Sequence, residues 1–324
     1  MTAMTRPAAV LVAGVPRSGT TWIGEALGRT EGASYVNEPD GDHDPFAFRA
    51  RLGHAVTPEL SPGDPAPLLE RLWAGVFAGG RPARTLRDRV ARGVYARVPV
   101  EARWAAWLGE TPSVRLRLVA RLAIPRVAAD VGTDSRVVIA KSVRAELCLE
   151  WIAARFSPRV LVVERNPLNV LASWIELGYV RDPRESETYR SIAQRRWGVA
   201  APAPDAPLLE RQTFTFAVLA SALREAAVAH PEWVLTRHDD LCVDAPVRLA
   251  DLAASLGLDW GAPAADFVAA SDAPGSGYRV RRATSEQPQR WRERLDRDQL
   301  ATIRAGLGRF PTGLEADTHT PEDG

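Results

Sequence analysis

The sequence predicts an α/β fold: a parallel sheet with helices on both faces, three layers in all, carrying helical inserts. Two observations predict it. Short unbroken apolar runs recur at Val10–Ala13, Val137–Ala140 and Val160–Val163. Strands that are apolar on both sides belong to sheets covered on both faces. The later runs also alternate with helical stretches, and strand–helix–strand succession is the mark of a parallel sheet. At 324 residues the chain is long enough for one large domain of this kind.

Taken in order, Val10-Leu11-Val12-Ala13 reads as a buried first strand. It breaks at Gly14-Val15-Pro16 and turns into Arg17-Ser18-Gly19-Thr20-Thr21-Trp22 at the start of a helix. A short second strand follows, with Glu38 after it in Ser34-Tyr35-Val36-Asn37-Glu38-Pro39. From Asp40 to Val131 the chain is first polar and Pro/Gly-rich, then helical, with Trp73, Tyr95, Trp104 and Trp107. We read about 41–131 as a helical insert. Val137–Ala140 is a strand ending at Lys141-Ser142. Glu146 to Phe156 has helical spacing, with Leu147, Trp151, Ile152 and Phe156 on one side, and Pro158 stops it. Val160–Val163 is broken by Arg165-Asn166-Pro167, and a helix from Leu168 to about Leu177 ends at Gly178. Tyr179 to Ala206 is charged, then Pro/Ala-rich. A long helix from about Pro207 to Ala229 precedes a last short strand, Val234–Arg237. The expected organisation is one domain over 1–312 with a polar, disordered tail over 313–324. Both inserts are candidate substrate covers or purely structural caps.

Composition excludes several classes. Hydrophobic residues make up 46% and charged residues 25%, as in ordinary globular proteins. With 41 basic and 40 acidic residues the net charge is +1, so nothing argues for nucleic acid or an anionic membrane as partner. Cys148 and Cys242 stand far apart and read as buried apolar residues rather than a disulfide or metal site. The five histidines show no ligand spacing, so no metal is expected. The apolar stretch before the first loop is too short to span a bilayer, and no cleavage site follows it. The expected location is the cytoplasm.

Chemistry concentrates in the first turn. It aims backbone N–H groups, the hydroxyls of Ser18, Thr20 and Thr21, and the Arg17 guanidinium at one point. A helix N-terminus already favours anions. In the phosphate loop G-x-x-x-x-G-K-[ST], a Lys reaches the β/γ-phosphates. Gly14 and Gly19 keep that spacing, but Thr20 stands at the Lys position. The cation has moved to Arg17, whose planar fork can hold one phosphate on two bonds. The turn therefore suits a monophosphate end better than a triphosphate. Later, Arg165 ends a strand, where open α/β sheets bind ligands, and Ser173 follows in the next helix. Two anion sites on neighbouring turns suit a nucleotide with phosphates on its 5′ and 3′ sides.

These residues resemble the sulfotransferases that use 3′-phosphoadenosine 5′-phosphosulfate, over most of the chain from Val10 to about Leu295. PRSGTTW after the first strand and R-N-P-x5-S after a later one carry the likeness. It implies a P-loop-like core without a metal. It also implies that Arg17, Ser18, Gly19, Thr20, Thr21 and Trp22 form the 5′-phosphosulfate loop, and that Arg165 and Ser173 bind the 3′-phosphate. Arg290-Trp291 match a basic–Trp pair of the family, with Ser276, Arg281 and Arg282 in a loop closing over the nucleotide. The product would be adenosine 3′,5′-bisphosphate. Animal cytosolic members carry Lys-Thr-His after a central strand, with His as base. Here the residues are Lys141-Ser142-Val143, so Lys141 is present and the His is not. Glu38, after the second strand, is the replacement, as in the tyrosylprotein sulfotransferases and some bacterial relatives. A carboxylate there suits general-base work if burial raises its pKa. His238 stands where a Tyr is common, either contacting adenine or serving structurally.

The expected reaction is in-line sulfuryl transfer to a hydroxyl of a small molecule or carbohydrate, with Glu38 as base and Arg17 and Lys141 stabilising the leaving phosphate. A small-molecule or nucleoside kinase and a catalytically silent nucleotide-binding protein are the competing readings. Trp73, Trp104 and Trp107 either line an acceptor pocket or pack in a core. Neither the acceptor nor the oligomeric state is legible.

Overall fold

The computed structural model describes residues 8–41, 58–78, 136–179, 185–271 and 284–318, together with Arg97 and Val114. Five strands form one all-parallel sheet: β1 (Ala8–Gly14), β2 (Ala33–Asn37), β3 (Val137–Ser142), β4 (Arg159–Glu164) and β5 (Val234–Arg237). Their order is β2-β3-β1-β4-β5, with β1 in the middle. Val12 lies opposite Lys141 on one side and Gly14 opposite Val163 on the other. The chain thus runs from the centre to one edge, returns through β3, and crosses β1 to reach β4.

The apolar runs explain the layers. Side chains alternate between faces along a strand. Val10 and Val12 join Ile139, Leu161 and Val163 against α1 (Thr20–Leu27), the short α7 (His238–Leu241), α8 (Ala245–Ser255) and α9 (Ala262–Ser271). Leu11 and Ala13 join Ala140, Val160 and Val162 on the other face. That face is covered by α3 (Leu149–Phe156), α4 (Pro167–Glu176), α6 (Leu208–Ala229) and α10 (Arg297–Leu307). The expected three-layer α/β fold is the one observed. The start of α4 was also legible: the Asn166 side chain accepts the Leu168 N–H at 2.8 Å and Pro167 occupies the first turn. Helix α3 starts later than the periodicity predicts, because residues 146–148 form a turn closed by Cys148 N–H on the Ala145 carbonyl at 3.0 Å.

The described part of the first insert belongs to the core. Helix α2 (Pro67–Phe77) buries Trp73 completely and stacks it on Phe77 at 5.4 Å between centroids. Trp151 of α3 donates to the Asp64 carbonyl at 2.8 Å, pinning the approach to α2. Tyr95, Trp104 and Trp107 lie outside the described residues. The second insert contains α5 (Glu185–Trp197), whose Arg195 pairs with Glu59 at 2.6 Å. Both cysteines are buried and unpaired with each other. Among the described residues no helix is long and apolar enough to cross a membrane.

The chain end differs from the disordered tail expected over 313–324. Residues 313–318 are folded, with Leu314 and Thr318 buried. Asp317 accepts from Arg224 at 2.6 Å and from Arg237 at 2.7 Å. Arg224 in turn forks onto both Glu164 oxygens at 2.8 Å. Asp317, which read as part of a solvated tail, is the partner of Arg224 in α6 and of Arg237 at the end of β5. Residues 319–324 lie outside the described set.

Removing Arg224 leaves two largely buried carboxylates without their shared cation, a change that costs about 3–5 kcal/mol. Arg237 is more exposed, and its pair is worth about 1 kcal/mol or less. In urea denaturation, Arg224→Ala is therefore expected to lose several times as much stability as Arg237→Ala. Equal losses would refute the shielded network.

Candidate active site

Every strand ends at the same edge of a parallel sheet, so the strand order decides which turns become neighbours. Here it sets in a row Glu38 after β2, Lys141 in β3, the Gly14–Thr20 turn after β1, Arg165 after β4 and His238 after β5. Neighbouring strands are roughly 4.8 Å apart, so β2 and β4 are separated by roughly 14 Å. These strand-end residues thus share one edge, where ligands of open α/β sheets bind.

The central turn is held tightly. A Cβ on Gly14 would lie 2.6 Å from Ser18 Oγ and 2.8 Å from the Val163 carbonyl, so the first glycine is required by close approach. Gly19 caps α1 with φ +89°, and a Cβ there would overlap the His238 ring. No side chain caps α1, so its first N–H groups stay open to an anion. Ser18 and Thr20 are buried inside the turn and Thr21 is exposed. The Ser18 hydroxyl has no partner among the described residues. His238 forms the floor: it is 6% exposed, lies edge-on to Trp22 at 5.7 Å, and has Cys242 Sγ 3.6 Å from Nδ1. Burial, and then the Arg165 guanidinium, push its imidazole well below the usual histidine range.

Arg17 joins the two predicted anion sites. Its backbone has φ +76°, its Nε donates to Ser173 Oγ at 2.9 Å, and its carbonyl accepts from Arg165 Nη1 at 3.0 Å. The 5′-side and 3′-side candidates are therefore in direct contact. Trp174, next to Ser173, adds a third tie by donating to the Pro16 carbonyl at 3.0 Å. The 3-10 segment Thr284–Glu293 brings Arg290 to this region, anchored by Trp291 N–H on Asn169 Oδ1 at 3.1 Å. Arg294 pairs with Glu176 at 3.1 Å. Burial lowers its guanidinium pKa, and the charges of Arg290 and Arg17 lower it further. Neither Arg17 nor Arg290 has a carboxylate partner among the described residues. Gathered cations without counter-charges favour an anionic ligand.

Glu38 and Lys141 form an ion pair in which Lys141 Nζ contacts Glu38 Oε1. The Lys141 side chain is 2% exposed and that of Glu38 30%, so the carboxylate alone reaches solvent. Glu38 also has a positive φ of +44°, fixed by its N–H on the Lys141 carbonyl at 2.7 Å. Beside them, buried Ser142 donates to Asp40 Oδ2 at 2.6 Å and accepts from the Arg144 N–H at 3.0 Å. Among the described residues only Arg17, Glu38 and Ser157 are non-glycines with positive φ. Such strain costs about 1–3 kcal/mol and clusters at functional sites. Two of the three positions are residues singled out for their chemistry.

Ser276, Arg281 and Arg282 lie outside the described residues. Sequence reasoning missed Trp174, Asn169, Arg294 and Asp239. Asp239 accepts the Asn166 N–H at 2.7 Å and so fixes the turn carrying Arg165. Burial pushes its carboxyl up, against that hydrogen bond and the nearby arginines. Only its place beside His238 hinted at this. Among the described residues no cluster of His, Cys, Asp and Glu could hold a metal ion.

No family model matches the chain, and no curated protein matches it. Seven solved chains match. One is the sulfotransferase STF1 from Mycobacterium tuberculosis H37Rv, 17% identical over 82% of this chain and 71% of that one, with a TM-score of 0.39.

The buried imidazole makes a pH-dependent contribution of known sign. Below the ordinary histidine pKa of 6.5, the unfolded chain binds a proton that folded His238 refuses. His238 therefore weakens the fold as pH falls through that value, by up to about 1.4 kcal/mol per pH unit. His230 acts oppositely: burial works against its charge, but Glu232 and Glu150 raise its pKa. The difference between wild type and His238→Gln isolates the first effect. Urea denaturation between about pH 5 and 7 is expected to show wild type losing ground to the variant on acidification. Parallel curves would mean that His238 is not held neutral.

Proposed function

We propose that the chain is a sulfotransferase moving a sulfuryl group from 3′-phosphoadenosine 5′-phosphosulfate to a hydroxyl group of a small molecule or carbohydrate. The observation that carries this reading is the junction at Arg17, where a phosphate-loop-like turn lacking its Lys meets Arg165 and Ser173. A triphosphate would call for the missing Lys; two adjoining anion sites fit a nucleotide with two separate phosphates.

When bound, the donor supplies the sulfuryl group and leaves as adenosine 3′,5′-bisphosphate. On this reading the first N–H groups of α1, with Arg17, Ser18, Thr20 and Thr21, hold the 5′-phosphosulfate. Arg165 and Ser173 hold the 3′-phosphate. Ser173 accepts from Arg17, which leaves its own O–H to donate. Arg290 adds charge from the 3-10 segment. His238, packed beneath Gly19, supports the turn.

Chemistry falls to Glu38 and Lys141. Lys141 holds Glu38 Oε1, so Oε2 is the oxygen that takes the acceptor's proton. The acceptor oxygen then bonds to sulfur, and the sulfur–oxygen bond to the 5′-phosphate breaks with its electron pair on the phosphate. Arg17 and Lys141 neutralise the charge that grows there. Positioning and charge account for the catalysis, as in phosphoryl transfer. The side chains here supply the cations that such a transfer needs.

Two measurements test the proposal. With a labelled donor and a panel of hydroxyl acceptors, Glu38→Gln is expected to cut turnover at least ~100-fold while adenosine 3′,5′-bisphosphate still raises the melting temperature. Undiminished turnover would remove Glu38 as the base. ATP is expected to leave the wild-type melting temperature unchanged, whereas stabilisation by ATP alone would favour a kinase.

A further inference from the structure

We infer that Asn169 is a positioning residue that clamps Arg290 beside the anion turn, an inference that rests on the donor reading above. The segment carrying Arg290 is weakly held by its own hydrogen bonds. It runs for 10 residues as a 3-10 helix, Thr284–Glu293, with Pro288 inside it. Such helices bond poorly and seldom exceed about four residues, and a proline removes a donor. Asn169 supplies anchorage from α4. Its Nδ2 donates to the Pro288 carbonyl at 2.9 Å, and its Oδ1 accepts the Trp291 N–H at 3.1 Å, on either side of Arg290.

The surroundings fix the amide in one orientation. Asn169 is 3% exposed, and a buried amide is tolerable only when its hydrogen bonds are made. Turned over, it would set its oxygen against the Pro288 carbonyl and the Asp239 carboxylate, whose Oδ1 lies 3.4 Å from Nδ2. Asp239 also accepts the Asn166 N–H, so the clamp shares a partner with the turn that carries Arg165. Ser173, the partner of Arg17, lies one helical turn further along the same face of α4. Charge gives the clamp its purpose. Arg294 feels the positive charges of Arg290 and Arg17 together. Like charges gathered without an anion repel, so the segment is pushed away from the turn unless something holds it. Asn169 holds it through neutral hydrogen bonds, leaving the Arg290 guanidinium to the ligand.

A double-mutant cycle on the binding of adenosine 3′,5′-bisphosphate to the whole chain, read by calorimetry, tests it. Asn169→Ala and Arg290→Ala are each expected to weaken binding about tenfold, and the double variant to bind as Arg290→Ala does. Hydrogen exchange at the Trp291 N–H is expected to quicken in Asn169→Ala, with or without nucleotide. Asn169→Ser, whose hydroxyl is too short to bond both partners, gives a second cycle with the same expected pattern if the alanine variant unfolds. Additive losses would overturn the inference, as would wild-type affinity in either single variant or unchanged exchange at Trp291. Those outcomes leave the donor reading intact, whereas no binding to the wild type would remove both.

Discussion

The junction at Arg17 is the constraint on which the rest of the site depends. One residue in a left-handed backbone conformation offers its carbonyl to Arg165 and its side chain to Ser173, across 148 and 156 residues of sequence. Locking the turn after β1 to the turn after β4 works only because β1 and β4 are neighbours. The register brings Gly14 beside Val163, whose carbonyl leaves no room for a Cβ. Trp174 and His238 then close the turn from two sides, one at Pro16 and the other beneath Gly19. The result is a turn, tied from several sides, whose first helical N–H groups are left without a side-chain cap.

The second half of the edge is built on a different principle. Lys141 is a buried cation whose counter-charge, Glu38, sits at the boundary with solvent. Burying a Lys is tolerable only with such a partner. The pairing in turn holds Glu38 in its strained conformation beside β3. On the proposed reading the arrangement divides labour along the sheet: anion binding at β1 and β4, and proton chemistry at β2 and β3. In the proposed reaction the acceptor oxygen and the leaving phosphate would meet between them.

Much of this was legible in the sequence, for physical reasons that differ by residue. Unbroken apolar runs revealed the covered parallel sheet because burial on both faces leaves no polar alternation. Gly14, Arg17 and Gly19 stood out because a tight turn before a helix restricts residue choice. The pair Asn166-Pro167 announced a helix start. What stayed hidden was contact between distant segments. No spacing links Trp174 to Pro16, or Lys141 to Glu38, until the strand order is known. The folded stretch 313–318 was misread because Asp317 looks solvated until Arg224 and Arg237 are placed around it. Trp73 could be read as pocket or core, and only packing settled it as core.

The central claim is that the β1 and β4 turns form one site for a nucleotide with both 5′ and 3′ phosphates. Calorimetric titration with adenosine 3′,5′-bisphosphate and adenosine 5′-monophosphate tests it most directly. The bisphosphate is expected to bind the wild type at least ~tenfold more tightly, the scale of one charge-assisted phosphate contact. In Arg165→Ala that advantage is expected to vanish. Equal affinity of the two nucleotides for the wild type, or an advantage untouched by the substitution, would contradict the account.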